Sequence, residues 1–255
     1  MIDVSIEDRI GTILLNRPEK RNALNNEMAA KLHEALVQLK NDDTCKIVII
    51  KANGDAFCAG ADLAYLQLLQ NNTYDENLLD SRQLMEMYNT LYHFPKITIA
   101  QVEGPAMAGG CGLAGLCDFC FATPNAQFGY TEVKIGFIPA IVSVFLTRKI
   151  GENLAKQLLL TGDIITAEEA LQMHLITKVV QANAIEEEVQ LFVKKLIKTV
   201  SGESIALTKQ LMATFPGISI IEQLALAATY NAKARSTNDC KKGISAFLNK
   251  EKLTW

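Results

Sequence analysis

Two short runs of small residues in the chain are suited to holding a negatively charged oxygen. One run, Ala108, Gly109 and Gly110, follows an apolar, β-branched stretch at residues 97–102 that is typical of a buried strand. The apolar residues 113–116 then indicate a helix. A glycine turn between a strand and the start of a helix leaves backbone N–H groups unpaired. Such groups suit an anion or a polarised carbonyl oxygen.

The second run lies in the segment FCAGADL, residues 57–63. It repeats the plan of strand, small residues and helix start, after a short buried strand predicted at residues 47–50. For either run alone, the alternative is tight packing of a helix on a sheet. An oxyanion site commonly takes two N–H donors from separate segments. The duplication therefore favours chemistry over packing.

The composition limits the class of protein. The chain has 255 residues, 49% apolar and 21% charged, so we expect one domain with a sizeable core. A net charge of −3 without a basic block argues against nucleic acid as a partner. The sequence shows no secretory leader pattern and no apolar run of about 18 residues, which predicts a cytoplasmic protein without membrane contact.

The six cysteines lie mostly among apolar neighbours, as expected of reduced, buried thiols. Cys117 and Cys120 form a single CxxC motif. Neither a second pair nor a histidine lies near this motif in the sequence. We therefore predict no metal site and no redox site there.

The hydrophobic pattern predicts alternating strands and helices in the first two-thirds of the chain, and helices alone from residue 184 onward. Strands are predicted at residues 2–6, 10–15, 47–50, 97–102 and 176–180. Asn25 is a predicted helix N-cap, and further helices are predicted at residues 142–150 and 154–160. The polar segment at residues 70–80 is expected to be a mobile loop that covers a site. The fold class is therefore α/β with a C-terminal helical region.

Five sequence motifs resemble those of the enoyl-CoA hydratase/isomerase, or crotonase, superfamily. In order, they are LNRPEKRNALN (15–25), FCAGADL (57–63), VEGPAMAGGCGLAGLCD (102–118), FGYTEVKIGFIP (128–139) and LTGDIITAEEAL (160–171). The resemblance implies a spiral of ββα turns that carries the site, at residues 1–195. It also implies a helical region, residues 196–255, that assembles the chain as a trimer or a dimer of trimers. The implied substrate is an acyl-CoA thioester, in which coenzyme A belongs to the substrate and no separate cofactor is needed.

The same resemblance assigns catalytic roles. The N–H groups of Ala61 and Gly109 match the two donors of the family's oxyanion hole. Moving a proton at the carbon next to a thioester carbonyl puts negative charge on the oxygen, which fixed donors stabilise. Glu132 matches one of the two acids of the family's hydratases, but Gly112 stands where the other acid is expected. For Glu132 the alternative is a surface acid near a helix start.

Seven further positions match residues that bind the substrate in relatives. Ala59, Asp62 and Leu63 would line the adenine through their backbone. Lys20, Arg21 and Lys250 would place positive charge beside the CoA phosphates. Gly110 lets the backbone approach a bound group. For Lys250 the alternative is an ordinary solvated lysine.

A single acid leaves two reactions open. A protonated Glu132 could give a proton to the α-carbon from one oxygen and take a proton from the attacking water at the other, which hydrates a 2-enoyl thioester. The same geometry could instead isomerise a 3-enoyl to a 2-enoyl thioester. A narrower likeness to bacterial 3-methylglutaconyl-CoA hydratases favours hydration. A dicarboxylic substrate would then need a cation, for which Arg82 and Lys134 are candidates.

Two further classes compete with an acyl-CoA enzyme. A non-catalytic relative that binds acyl-CoA or RNA is permitted by Gly112, although the chain lacks a basic patch. A peptidase on a related spiral fold needs a serine–histidine pair. None of the three histidines lies in a motif that suggests one.

Overall fold

The computed structural model describes residues 1–255 and contains nine strands and ten α-helices. The strands are β1 (Ile2–Glu7), β2 (Ile10–Leu15), β3 (Ile47–Ala52), β4 (Ile97–Val102), β5 (Ala106–Met107), β6 (Phe119–Ala122), β7 (Gln127–Gly129), β8 (Ile164–Thr166) and β9 (Lys178–Val179). The helices are α1 (Asn26–Asn41), α2 (Leu63–Leu69), α3 (Tyr74–Tyr92), α4 (Gly109–Leu116), α5 (Ala140–Thr161), α6 (Ala167–Gln172), α7 (Ile185–Thr199), α8 (Gly202–Thr214), α9 (Ile220–Ser236) and α10 (Asn238–Leu248). Two 3-10 helices span Pro18–Lys20 and Thr131–Ile135.

Six strands form the main sheet in the order β1-β2-β3-β4-β6-β9. Only β1 and β2 are antiparallel, and the other neighbours are parallel. Parallel sheets need cover on both faces. Helix α1 packs on one face through residues such as Leu32 and Leu36, and helix α7 packs on the other through Val189 and Val193. The strands therefore read as nearly continuous apolar runs in the sequence.

The topology brings the two runs of small residues to one edge of the main sheet. Strands β3 and β4 are parallel neighbours, so their carboxyl ends lie side by side. Residues 53–62 follow the end of β3, and residues 103–108 follow the end of β4. Ligands of open α/β sheets bind outside the carboxyl ends of the strands. We call these two segments the first bend and the second bend.

A three-stranded sheet, β5-β7-β8, continues from the second bend. Strand β5 is parallel to β7, with Ala106 opposite Phe128 and Met107 opposite Gly129. Strand β7 leads directly into the 3-10 helix that contains Glu132. The small sheet therefore connects Glu132 to the second bend.

The C-terminal helices dock at the opposite edge, where the parallel strands begin. The Lys46 ammonium, just before β3, donates to the carbonyl oxygens of Ile197 and Val200 at 2.8 and 2.6 Å. The Lys209 ammonium of α8 donates to the carbonyl of Lys96, just before β4, at 2.9 Å. The division predicted after residue 195 falls inside α7. None of the helices has the length and apolar character that crossing a membrane would require.

The predicted elements agree with the structure where the hydrophobic pattern is strong. The strands at residues 2–6, 10–15 and 97–102 are confirmed, and Asn25 caps α1 by accepting from the Met28 N–H at 2.8 Å. The predicted break between the helices at residues 142–150 and 154–160 corresponds to Gly151, which interrupts α5 with φ +79°. The last predicted strand, residues 176–180, is shorter in the structure, at Lys178–Val179.

The prediction of a loop at residues 70–80 is wrong. Helix α3 begins at Tyr74, inside that segment, because Thr73 and Glu76 form a capping box. The Glu76 carboxylate accepts from the Thr73 N–H at 2.7 Å, and the Thr73 hydroxyl accepts from the Glu76 N–H at 3.3 Å. The cap satisfies backbone groups at the helix start and so outweighs the polar composition of the segment.

Candidate active site

The two bends are joined to each other along their main chains. The Cys58 N–H donates to the Pro105 carbonyl at 3.2 Å, and the Met107 N–H donates to the Cys58 carbonyl at 2.9 Å. Gly60 has φ +91°, and a Cβ built on it would lie 3.0 Å from the Cβ of Ala108. The bends therefore form one rigid unit, in which residues next to Ala61 touch residues next to Gly109.

The N–H of Ala61 faces outward from this unit. Ala61 forms a parallel bridge with Leu24, in which the Leu24 N–H donates to Gly60 at 2.7 Å and the Asp62 N–H donates to Leu24 at 2.8 Å. In such a bridge, the N–H of Ala61 itself points away from Leu24. It donates to no backbone carbonyl, and Ala61 is solvent-exposed.

The N–H of Gly109 is the second donor at the bends without a backbone acceptor. Gly109 is the first residue of α4, so its N–H has no partner inside the helix. The residue before it, Ala108, has φ +50° and ψ −120°, a conformation that costs an alanine about 1–3 kcal/mol. This strained residue turns the chain from β5 into α4. The start of a helix also favours negative charge in front of it.

Close packing also demands small residues here, as the alternative interpretation expected. A Cβ on Gly110 would lie 2.4 Å from the Cys58 carbonyl oxygen, and a Cβ on Gly109 would lie 2.9 Å from the Tyr88 hydroxyl oxygen. The two interpretations are therefore compatible. Small residues allow the bends to touch, and the contact joins the segments that lead to Ala61 and Gly109.

Glu132 lies half-buried in the 3-10 helix that follows β7. The Ala108 N–H donates to the Gly129 carbonyl at 2.7 Å, which connects the second bend to the end of β7. The Oε2 atom of Glu132 is buried and has no hydrogen-bond partner. Burial raises the pKa of this carboxyl, and a hydrogen bond from its own backbone opposes the shift only in part. The environment of Glu132 therefore differs from that of a surface acid at a helix start.

The position of the missing second acid is closed by neighbouring side chains. Gly112 lies buried in α4, and a Cβ on it would lie 2.3 Å from Val142 Cγ1 and 3.5 Å from Tyr88 Cε1. Real Cβ atoms essentially never come as close to another heavy atom as the first of these distances. A longer side chain at position 112 would require Val142 to move or to become smaller.

Most of the predicted CoA-binding positions lie together at the first bend. The Ala59 N–H donates to the Arg21 carbonyl at 3.0 Å, which places Lys20 and Arg21 beside that bend. Both of these side chains are exposed, and Leu63 is 78% exposed. An anionic ligand in front of the bends would therefore meet free positive charge on one side.

The Asp62 side chain is occupied by the fold. It is buried, accepts from the Ala64 N–H at 2.9 Å at the start of α2, and pairs with Arg17 at 2.7 Å. The Arg17 guanidinium and these N–H donors outweigh burial and lower the pKa of the Asp62 carboxyl. The Asp62 side chain is therefore not free to contact a ligand, and lining of the adenine by its backbone stays a prediction.

Lys250 makes no hydrogen bond or ion pair with the bends in this chain. Its N–H donates to the Phe247 carbonyl at 3.2 Å, just after α10. Further along, the Trp255 carbonyl accepts from Arg9 at 2.9 Å, next to the start of β2. The contact of Lys250 with CoA stays a prediction.

Three residues that shape the site were missed by the sequence analysis as site residues. Arg17 pairs with Asp62, Tyr88 donates to the Gly109 carbonyl at 2.6 Å, and buried Asn22 donates to the carbonyls of Asn53 and Ala56 at 2.8 and 2.9 Å. These contacts join segments far apart in the sequence. The one signal in the sequence that could have identified Asn22 is its polar side chain inside the LNRPEKRNALN motif.

A cavity of about 450 Å³ lies elsewhere. Residues of α5 and α8, including Arg148 and Lys209, line it together with the C-terminal end of α4. At a rise of 1.5 Å per residue, that end is about 10 Å along the helix from Gly109. The cavity is therefore separate from the two bends.

The fold and these bends define the class of protein. The model of the family described as enoyl-CoA hydratase/isomerase matches residues 5–255. A Thermus thermophilus protein described as a candidate enoyl-CoA hydratase is 42% identical over 94% of this chain and 95% of its own length. The crotonyl-CoA hydratase of Syntrophomonas wolfei is 32% identical over 98% and 95% of the two chains. An enoyl-CoA hydratase structure from Shewanella pealeana is 29% identical, covers 100% of this chain and 95% of its own, and superposes with a TM-score of 0.94.

The chain belongs to the enoyl-CoA hydratase/isomerase family. The predicted superfamily and the predicted crotonase-like α/β fold with a helical C-terminal region are both confirmed. The narrower likeness to 3-methylglutaconyl-CoA hydratases stays a prediction.

Replacing Gly112 by alanine is expected to destabilise the protein. Overpacking costs typically about 1–3 kcal/mol, against a gain of about 1 kcal/mol from placing alanine in a helix. In the double variant Gly112→Ala/Val142→Ala, the alanine at 112 should instead cost nothing or stabilise. Urea unfolding of the wild type, the two single variants and the double variant measures the coupling energy between positions 112 and 142.

Gly202→Ala is the control, because nothing lies within 4 Å of its added Cβ. Equal costs of Gly112→Ala with and without Val142 would contradict the contact.

Glu132→Gln is expected to raise thermal stability at neutral pH. The folded-state pKa of Glu132 is raised above the ordinary 4.5, so below pH 4.5 the group is protonated in both states and costs nothing. Between pH 4.5 and the folded-state pKa, the unfolded state has released the proton of Glu132 while the folded state still holds it. The free energy of unfolding of the wild type therefore falls as the pH rises through this range. The gain from glutamine should therefore be absent near pH 4 and present at pH 8 in melting scans.

The matched control is Glu34→Gln, which changes an exposed acid on α1. Glu34→Gln should change the melting temperature little at both pH values. An increase in melting temperature for Glu132→Gln that is the same at pH 4 and pH 8 would refute the desolvation of Glu132.

Proposed function

We propose that this protein is an enoyl-CoA hydratase-type lyase, which adds water to, or removes water from, a 2-enoyl-CoA thioester. The observation that carries the proposal is the joining of the two bends, at which the N–H groups of Ala61 and Gly109 both lack a backbone acceptor. Glu132 is tied to the same unit through β7 and is partly shielded from water. Family membership makes an acyl-CoA thioester the natural substrate.

The two amides would bind the thioester oxygen. When a proton moves at the adjacent carbon, negative charge develops on that oxygen, and donors held by the backbone stabilise it without reorganising. Removing one such donor typically costs about 2.7–4 kcal/mol of transition-state stabilisation. The rigid connection between the bends supports this role, because it fixes the relative position of donors from two separate segments.

Glu132 would carry both proton transfers of hydration. Water gives one proton to an oxygen of Glu132 as its own oxygen attacks the β-carbon, and the other oxygen of Glu132 delivers a proton to the α-carbon. Glu132 ends as it began, with one proton, so the proton count closes. Burial of Glu132 supports this role, because a raised pKa keeps the proton available for donation. The closed position beside Gly112 leaves Glu132 as the acid in this scheme.

A second candidate function is isomerisation of a 3-enoyl to a 2-enoyl thioester. The contact of Gly112 with Val142 favours it, because a proton shuttle needs one acid and no activated water. Incubating 2-enoyl and 3-enoyl thioesters separately distinguishes the two reactions. A 3-hydroxyacyl product from the 2-enoyl substrate supports the hydratase, whereas a shifted double bond without hydroxyacyl product supports the isomerase.

The acyl group is proposed more narrowly to be branched or dicarboxylic, such as 3-methylglutaconyl. The support is the sequence likeness to hydratases of that class and two exposed cations, Arg82 and Lys134. Neither cation makes an ion pair in the structure, so both are available to a distal carboxylate. Comparing kcat/KM for straight, branched and dicarboxylic 2-enoyl thioesters tests this substrate class.

Glu132→Gln is expected to lower turnover of the preferred enoyl thioester by at least about 100-fold, the scale of general acid–base contributions. Binding of the CoA moiety should be almost unchanged, because the proposed phosphate and adenine contacts lie at the first bend. Steady-state kinetics and calorimetric titration with CoA measure the two effects. Glu34→Gln is the control and should retain wild-type turnover. Wild-type turnover in Glu132→Gln would remove Glu132 from the mechanism.

We also propose that the chain assembles as a homotrimer or a dimer of trimers through its C-terminal helices. Helices α9 and α10 contain large apolar residues that are more than half exposed in the single chain. They are Ile220, Ile221, Leu224, Ile244, Phe247 and Leu248. Exposed apolar clusters of this kind mark protein–protein contacts.

The expected solution mass is therefore about three or six times 28.0 kDa, measured by light scattering after gel filtration. The pair of changes Ile221→Glu and Phe247→Glu should lower the mass. Leu191→Glu, at an exposed apolar residue of α7, is the control and should leave it unchanged. A wild-type mass of 28.0 kDa would exclude the assembly.

A further inference from the structure

Tyr88 places a hydroxyl group inside the core, directly behind the second bend. Its side chain has no solvent exposure, and its hydroxyl donates to the Gly109 carbonyl at 2.6 Å. Burial raises the pKa of Tyr88 well above its ordinary value, and the nearby Cys58, Glu132 and Cys111 add to the shift. The hydroxyl therefore keeps its proton and remains a donor at every pH where the protein functions.

The partner carbonyl belongs to the segment that presents the proposed oxyanion donor. The Gly109 carbonyl shares a peptide plane with the Gly110 N–H, and the Gly109 N–H lies on the preceding plane. Glycine fixes its own backbone poorly, because it has no side chain to restrict φ and ψ. A hydrogen bond to the Gly109 carbonyl supplies that restriction from outside. Polarisation of this peptide group strengthens the Gly110 N–H, so the effect of Tyr88 on the Gly109 N–H is one of orientation.

The absence of side chains at two positions of α4 makes this contact possible. A Cβ on Gly109 would lie 2.9 Å from the Tyr88 hydroxyl oxygen, and a Cβ on Gly112 would lie 3.5 Å from the edge of its ring. Tyr88 therefore packs against the glycine side of the helix over a full turn. Its phenol group lies next to the position where a second acid would be expected.

We propose that Tyr88 is a positioning residue for the oxyanion hole: its hydroxyl fixes the first turn of α4, so that the Gly109 N–H is aimed at the thioester oxygen. This inference rests on the proposed function of the same site. Tyr88 itself does not touch the substrate in this proposal and acts through Gly109.

The test is the variant Tyr88→Phe, which removes only the hydroxyl. We expect kcat to fall about tenfold, on the scale of one neutral hydrogen bond, with KM changed by less than about twofold. Tyr92→Phe is the matched control, because Tyr92 lies one turn further along α3 and its hydroxyl makes no hydrogen bond in the structure. It should retain the wild-type kcat. A wild-type kcat in Tyr88→Phe would overturn the proposal.

A second measurement reads the oxyanion hole without turnover. The infrared carbonyl stretch of a bound, saturated acyl-CoA, labelled with ¹³C at the thioester, falls in frequency as the hydrogen bonds to its oxygen strengthen. In Tyr88→Phe the stretch should move up from the wild-type value, toward that of free ligand. In Tyr88→3-fluorotyrosine, which keeps the hydroxyl donor, it should stay at the wild-type value. An unmoved stretch in Tyr88→Phe would overturn the proposal, because a purely structural role would change stability alone.

These readouts separate the inference from the function on which it rests. If the wild type turns over no enoyl thioester, the proposed reaction fails, but the carbonyl stretch still reports whether Tyr88 controls the donors. If turnover is present and neither kcat nor the stretch depends on the hydroxyl, the reaction stands and the role of Tyr88 fails.

Discussion

The contact between Gly60 and Ala108, with the hydrogen bonds that tie Cys58 to Pro105 and Met107, is the constraint on which the rest of the site depends. It joins a segment that leaves β3 to one that leaves β4. Because the proposed donors are backbone amides, their geometry is set by how these segments pack and not by side-chain rotamers. The parallel pairing of β3 with β4 brings the segments to one edge, and small residues let them touch.

The site concentrates features that would be unfavourable elsewhere. Ala108 adopts a backbone conformation with positive φ, and a carboxylate oxygen of Glu132 is buried without a partner. Backbone strain of this kind costs about 1–3 kcal/mol and persists only where the surrounding structure over-determines it. Here the surroundings are a parallel sheet covered on both faces and a network of main-chain bonds. Violations of local rules in an otherwise consistent sequence are typical of functional sites.

Local patterns predicted the parts of this structure that local physics controls. Asn25 was identifiable as a helix cap, and the apolar runs identified the buried strands. The capping box at Thr73 was also visible in the sequence, and the prediction failed there because polar composition was given more weight than the spacing of the cap. Small residues predicted both bends and an oxygen-binding role for them, and the family resemblance added the thioester substrate.

The remaining parts of the site depend on contacts between distant segments. The Arg17–Asp62 pair, the hydrogen bond from Tyr88 to Gly109 and the fit of Val142 against Gly112 each join residues that no local pattern relates. Residue type alone did not separate Tyr88 from the other apolar positions on its face of α3. Its hydroxyl gained meaning only when the fold placed a glycine carbonyl in front of it.

The fit of Val142 against Gly112 also limits how a protein with this site could change in evolution. An acid at position 112 would clash with Val142 unless residue 142 moved or became smaller. A smaller residue 142 would in turn leave an unfilled space until position 112 grew. The two positions must therefore change together or through a less stable intermediate. A second acid at position 112 is therefore hard to reach by single substitutions, whether in evolution or in a laboratory search.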